Sequence, residues 1–96
     1  MRRNETRPIG EVIRDSLDDL RISQKLKEKR LVAQWNDMMG KAIASRTKQV
    51  YVKDRTFYVH LTSSVARSEL MMMRRSILDK LNEMAGEKLI DAIVIR

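Results

Sequence analysis

The sequence predicts a single α+β domain with the element order α-α-β-β-α-β, in which a three-stranded sheet packs on helices. Three observations lead to this fold class. Apolar residues recur at helical spacing between residues 9 and 39 and again between 66 and 84. They alternate with polar residues between 49 and 61, and they form a nearly continuous β-branched run before the C-terminus. The 96 residues suffice for one modest core.

Two helices are predicted in the N-terminal part of the chain. The first begins after Pro8 and runs for about three turns, since proline suits the first position of a helix. Its apolar face consists of Ile9, Val12, Ile13, Leu17 and Leu20. The second is capped by Ser23 and ends at about Met39, before Gly40. Its inward residues are Leu26, Leu31, Val32, Trp35 and Met38. Residues 41–46 fit either a further short helical turn or a loop.

A β-hairpin is predicted next, because the apolar period changes from helical spacing to strict alternation. The inward residues are Val50, Val52, Phe57, Val59 and Leu61. The residues of opposite parity, on the outer face, include Tyr51, Tyr58 and His60. The strands join around Asp54-Arg55, which lack the glycine that a tight two-residue loop prefers. A longer or distorted turn is therefore an open alternative.

The C-terminal part predicts a helix of about five turns and a third strand. The inward stripe of the helix is Ala66, Leu70, Met73, Ile77, Leu81 and Met84, and Gly86 ends the helix. The segment from Leu89 to Ile95 is apolar and β-branched, as in a strand. With a helix between them, the second and third strands can run parallel in one sheet. The outer face of such a sheet can stay open.

Composition excludes most catalytic chemistry. The chain has one histidine, His60, and no cysteine, so neither a His/Cys metal cluster nor a Cys-His pair can form. No apolar segment resembles a signal peptide or a membrane span. We therefore expect a cytoplasmic, non-enzymatic protein without a cofactor, a metal or a membrane partner. The excess of 20 Lys and Arg over 13 Asp and Glu favours a polyanionic partner.

The predicted nucleic-acid contacts are basic residues and two aromatic ones. Residues 1–8 are expected to form a flexible basic arm before the domain of residues 9–96. The cations around the hairpin are favoured, because their neighbours Tyr51 and Tyr58 could stack bases. The alternatives are a solvated arm, a charged helix face and ordinary cross-strand pairing of aromatics. The full set is Arg2, Arg3, Lys25, Lys29, Lys41, Arg46, Lys48, Tyr51, Lys53, Arg55, Tyr58 and Arg67.

Several short segments, taken in order, resemble the DciA-like proteins. In the N-terminal half they are Ile9-Gly10-Glu11-Val12-Ile13, Trp35, Met39-Gly40-Lys41 and Ile43-Ala44. In the C-terminal half they are the segment from Phe57 to Ser64, Arg67-Ser68-Glu69-Leu70, Asn82, Gly86 and Ile93-Val94-Ile95-Arg96. The resemblance covers almost the whole chain and depends on the order and spacing of these segments together.

This resemblance implies a KH-like fold and a role beside the bacterial replicative helicase. The implied partners are single-stranded or junction DNA and a DnaB-type helicase, bound without covalent chemistry. The sequence lacks the Gly-x-x-Gly loop of KH domains, so their usual binding mode is not expected. Arg55 stands where the family often has a turn glycine. The alternatives are a ribosome-associated RNA-binding domain and a protein–protein adaptor, and the oligomeric state is left open.

Overall fold

The computed structural model describes the backbone of residues 9–96 and the side chains of residues 18–96. Its elements are α1 (Ile9–Met39), α2 (Lys41–Ala44), β1 (Thr47–Lys53), β2 (Thr56–Leu61), α3 (Ser64–Met72), α4 (Arg74–Ala85) and β3 (Ala92–Ile95). The α+β class is confirmed, and the predicted element order is broadly confirmed. The predicted basic arm of residues 1–8 lies outside the described part.

The prediction of two N-terminal helices is wrong, because α1 is one continuous helix of 31 residues. It is about 46 Å long at the usual rise per residue. Between Leu20 and Leu26 the chain has no glycine or proline, and Ser23 is tolerated inside a helix as well as at its start. Leu20 and Leu26 are 66% and 58% exposed, so the prediction that Leu26 faces inward is also wrong.

The C-terminal end of α1 joins the body of the domain. Leu31 and Trp35 are buried there. Gly40 ends the helix with φ 86°, a left-handed conformation that favours glycine. The chain then forms the short helix α2, so the helical alternative for residues 41–44 is the one observed.

The sheet has the strand order β1-β2-β3, with β1 antiparallel and β3 parallel to the central strand β2. The predicted hairpin and the parallel pairing are thus confirmed. Asp54 and Arg55 connect β1 to β2 with φ values of 51° and 59°. Two left-handed residues in succession are typical of a tight type I′ turn, so the longer loop is not formed.

The predicted C-terminal helix is divided at Met73, whose φ of −104° and ψ of 11° interrupt the helical backbone. Ser63 caps α3 by accepting a hydrogen bond from the Ala66 amide at 3.2 Å. Gly86 ends α4 in the left-handed conformation, as predicted. Met73 and Met84 are exposed, so their predicted inward placement is wrong.

The core lies between one face of the sheet and the helices. Its buried residues are Leu31, Trp35, Phe57, Val59, Leu61, Ala66, Leu70, Ile77, Leu81, Leu89, Ile90, Ile93 and Ile95. Inward residues of β1, Val50 and Val52, are partly buried against it. This packing leaves the opposite face of the sheet for the candidate site.

Asn82 connects α4 to the segment before β3. Its side-chain oxygen accepts hydrogen bonds from the Leu89 and Ile90 amides at 2.9 and 2.8 Å, and its amide group donates to the Ile90 carbonyl at 2.9 Å. Leu89 and Ile90 were predicted to start the third strand, but the strand begins at Ala92. One side chain therefore holds the buried residues Leu89 and Ile90 in place through three hydrogen bonds.

Candidate nucleic-acid interface

Three rings form a stack on the outer face of the sheet. Tyr51 and Tyr58 are directly paired across β1 and β2, with ring centroids 4.8 Å apart and planes inclined by 12°. The His60 ring lies 5.7 Å from that of Tyr51, inclined by 21°. The parity that the sequence predicts for these rings is confirmed. We call Tyr51, Tyr58 and His60 the aromatic face.

Arg96 extends the aromatic face onto the third strand. Its backbone continues the parallel pairing, since the Arg96 amide donates to the Val59 carbonyl at 2.9 Å. The guanidinium carbon then lies 5.3 Å from the centroid of the Tyr58 ring, within cation–π range. Sequence reasoning missed this residue, although Arg96 has the parity of Val94, which pairs with Tyr58.

The aromatic face is accessible to solvent. The outward residues of all three strands are exposed or half-buried, and none is fully buried. They are Gln49, Tyr51, Lys53, Thr56, Tyr58, His60, Ala92, Val94 and Arg96. The His60 Nε2 atom is shielded and has no hydrogen-bond partner, so this ring contributes mainly as a packed, flat surface. The exposed parts of both tyrosine rings are therefore reachable from the outer side of the sheet, where Tyr51 and Arg96 already contact the ring of Tyr58.

The length of β1 divides the predicted basic cluster at the hairpin into two groups, one around Lys48 and one around Lys53. Lys48 and Lys53 are both exposed and lie near opposite ends of the strand. Five residues of extended chain separate them by about 17 Å. The aromatic face lies between the two groups, so a chain of phosphates could contact both while its bases meet the rings.

Arg46 and Arg67 lie at the Lys48 end of the hairpin. The Arg46 guanidinium donates to the Ala42 carbonyl at 2.9 Å, and that of Arg67 donates to the Leu61 carbonyl at 3.3 Å. Lys41 is exposed on α2, one helical turn before Ser45. The structure thus brings Lys41, Arg46, Lys48 and Arg67 to one end of the sheet.

Arg55 is engaged by other groups of the same chain at the protein surface. Its guanidinium donates two hydrogen bonds to the Asp91 carboxylate, at 2.9 and 3.1 Å, and one to the Lys88 carbonyl at 2.6 Å. The hydrogen bond with Asp91 raises the pKa of Arg55 above its ordinary value, and the same hydrogen bond lowers the pKa of Asp91 below its ordinary value. This bidentate pair ties the hairpin turn to the start of β3, which competes with a role in phosphate binding.

Lys25 and Lys29 line a groove between α1 and β1 that Tyr51 also borders. Both are exposed on α1, beside Val50 and Val52 at the free side of β1. Between them in sequence, Lys27 forms a salt bridge with Glu87. Arg2 and Arg3 belong to the segment outside the described residues. Lys25 and Lys29 therefore approach the aromatic face only at Tyr51.

The acidic side chains and the histidine are dispersed over residues 18–96. In that part of the chain no group of three or more His, Cys, Asp or Glu side chains is placed to hold a metal ion. No helix in the described range is long and apolar enough to cross a membrane.

The fold and the site together define a small, basic α+β domain with an aromatic, solvent-accessible sheet face. Comparison with known families specifies the class further, because the family model "Dna[CI] antecedent, DciA" matches residues 8–95. The chain therefore belongs to the DciA family. This family is related to loading of the DnaB replicative helicase, which makes the chain a replication accessory protein. No curated protein matches the chain. The KH-like nature of the fold stays a prediction.

Proposed function

We propose that this protein binds single-stranded or junction DNA and a DnaB-type replicative helicase, and that it acts on the helicase by contact and positioning. The DNA-binding part depends on one observation, the stack of Tyr51, Tyr58 and His60 on an accessible sheet face. The helicase part depends on family membership. In this role the protein would act at the bacterial replication fork, and hence in the cytoplasm.

Single-stranded DNA suits the aromatic face for two reasons. Unpaired bases can stack on tyrosine rings without regard to sequence, whereas the bases of a duplex are already stacked on one another. The separation of Lys48 from Lys53 then lets the phosphates of one strand be held at both ends of the ring stack. Arg96 contributes a third cation at the Tyr58 ring. No group on this surface performs covalent chemistry in the proposed role.

Replacing both Tyr51 and Tyr58 by alanine is expected to weaken single-strand binding by about tenfold or more. Each stacked base contributes about 1–3 kcal/mol, and 1.4 kcal/mol corresponds to a factor of ten. Fluorescence anisotropy with a labelled oligonucleotide of mixed sequence measures the effect.

The matched control is the double phenylalanine variant, which keeps both rings and should bind like the wild type. An exposed lysine remote from the face, Lys80→Ala on α4, controls for general loss of charge. Unchanged affinity of the alanine variant, with an unchanged thermal unfolding curve, would sink the stacking proposal. Repeating the titration at several salt concentrations with duplex DNA and duplex RNA tests the alternative. Stronger binding to duplex RNA would favour the RNA-binding function, and no binding at low salt would favour the adaptor.

The helicase proposal is tested directly by co-purification with the replicative helicase of the same organism. We expect the two proteins to elute together in size-exclusion chromatography, with or without an oligonucleotide. The double alanine variant should still associate in the absence of DNA, because the rings are assigned to bases. Separate elution under every condition would contradict the proposal.

A further inference from the structure

A second surface lies beside α1, on the side of β1 that no other strand covers in the described sheet. A groove of about 290 Å³ runs between α1 and β1, with Val32, Val50 and Val52 on its walls. A shallower concavity of about 400 Å³ continues along α1 past Ile22 and Leu26. Lys25 and Lys29 border both, so the two form one continuous surface.

The floor of this surface is aliphatic and unusually exposed. Ile22 and Leu26, one helical turn apart on α1, are 60% and 58% exposed. Val50 and Val52 point to the core side of the sheet but are only partly buried. In the helix layer, α1 contacts β1, whereas α3 contacts β2 and α3 and α4 contact β3. The layer is thus incomplete over the outer edge of β1, and one further helix would complete it.

The rim of the surface is cationic. Three basic residues lie along it, namely Arg21, Lys25 and Lys29, whereas the lining includes one carboxylate, that of Glu28. The Glu28 carboxylate accepts a hydrogen bond from Gln24 at 3.3 Å. A second copy of this chain would bring a similar cationic rim, and a net charge of +7, against the first. Because like charges repel, a second copy of the chain is disfavoured as the partner that covers this surface.

Nucleic acid fits this surface less well than the aromatic face. Phosphates would pair with the rim, but the aliphatic floor offers bases no ring to stack on apart from the edge of Tyr51, which borders both surfaces. An aliphatic floor instead gains free energy by burying apolar side chains. The combination of floor and rim therefore favours a ligand that carries apolar groups and carboxylates together.

We propose that the groove along α1 and β1 is a docking site for an acidic amphipathic helix of a partner protein. The apolar face of that helix would cover Ile22, Leu26, Val50 and Val52, and its flanking Asp or Glu residues would pair with Arg21, Lys25 and Lys29. This assigns Lys25 and Lys29 to carboxylates, in place of the phosphates predicted from the sequence. The inference goes beyond DNA binding and does not depend on it.

A synthetic helix tests the proposal. The probe is a labelled peptide of about 20 residues, long enough to form a helix, with leucine at every third and fourth position and glutamate or alanine elsewhere. Its partner probe replaces every glutamate by lysine. We expect the full chain to bind the acidic peptide, and to bind the lysine peptide at least tenfold more weakly, in fluorescence anisotropy at physiological salt.

Two variants of the groove should lower the affinity for the acidic peptide by about tenfold or more. Leu26→Asp disrupts the apolar floor, and the double change Lys25→Glu and Lys29→Glu reverses the charge of the rim. All three positions are exposed, so both variants should fold. Met72→Asp is the matched control, since Met72 is an exposed apolar residue on α3. It should bind the peptide like the wild type.

Several results would overturn the inference. They are no binding of the acidic peptide, equal binding of the lysine peptide, or full binding by Leu26→Asp. Loss of a dimer in Leu26→Asp, seen by sedimentation, would instead assign the groove to a second copy. A fall in single-strand DNA affinity equal to that of the double tyrosine variant would assign it to nucleic acid. If DNA binding fails while the peptide binds as expected, the proposed function is wrong and this inference stands.

Discussion

Replacement of Trp35 by alanine is expected to lower the free energy of unfolding by about 3–5 kcal/mol, the usual cost of truncating a buried tryptophan. Trp35 is 1% exposed at the junction of α1 with the sheet. Its ring centroid lies 5.5 Å from that of Phe57, and its indole N–H donates to the Thr47 hydroxyl at 3.2 Å. The truncation therefore leaves a cavity where α1 meets the hairpin.

A loss of this size removes a large part of the stability of a small domain, which is typically about 5–15 kcal/mol in total. Urea denaturation followed by circular dichroism measures it. Trp35→Phe keeps most of the volume but loses the indole donor, so it should cost less. Leu26→Ala, at an exposed position of the same helix, should change stability by about 0.5 kcal/mol or less. A denaturation midpoint of Trp35→Ala equal to that of the wild type would contradict this placement of α1.

Replacement of Asn82 by alanine is expected to cost about 2–4 kcal/mol, more than a typical polar substitution. The Ile90 amide would lose its acceptor, and the Leu89 amide would keep only its hydrogen bond to the Glu87 carbonyl at 2.9 Å, while the Ile90 carbonyl would lose its side-chain donor. Both residues are fully buried, at 0% exposure. A buried donor without a partner costs about 1–3 kcal/mol. Because the segment leads into β3, hydrogen exchange should also become faster in residues 89–95.

Asn82→Asp separates the two roles of this side chain. Aspartate keeps an acceptor for the two amides but cannot donate to the Ile90 carbonyl, so its cost should lie between those of the wild type and the alanine variant. Asn36→Ala is the matched control, since Asn36 is exposed on α1. Equal stability of the wild type, Asn82→Ala and Asn82→Asp would show that the loop before β3 is held by its apolar side chains alone.

Much of the fold follows from local sequence patterns. Alternation around Val50 and Val59 predicts the hairpin, and the parity of Tyr51 and Tyr58 predicts the aromatic face. These features depend on the two-residue alternation of side chains between the faces of a sheet, which strand geometry imposes at every position. The continuity of α1 could not be predicted in this way, because Ser23 is as acceptable at a helix start as inside a helix.

Other features depend on contacts between distant parts of the chain. The division at Met73 occurs without a glycine or proline, where two helical segments pack on different neighbours: α3 contacts β2, and α4 contacts α1. The engagement of Arg55 was hidden because Asp91 is 36 residues away in sequence. The separation of Lys48 from Lys53 is evident only once the strand between them is placed. Sequence therefore predicted the placement of the rings better than that of the cations.

The left-handed turn at Asp54-Arg55 has a consequence for how this protein can vary during evolution. Glycine at position 55 would adopt φ 59° without strain, but it would leave the Asp91 carboxylate and the Lys88 carbonyl without their donor. Arginine at position 55 adopts the same left-handed conformation at some cost in backbone strain, and it supplies the donor for both oxygens. We therefore expect positions 55 and 91 to vary together: a homologue with glycine in the turn has no need of an acid before β3, and one with arginine has reason to keep it.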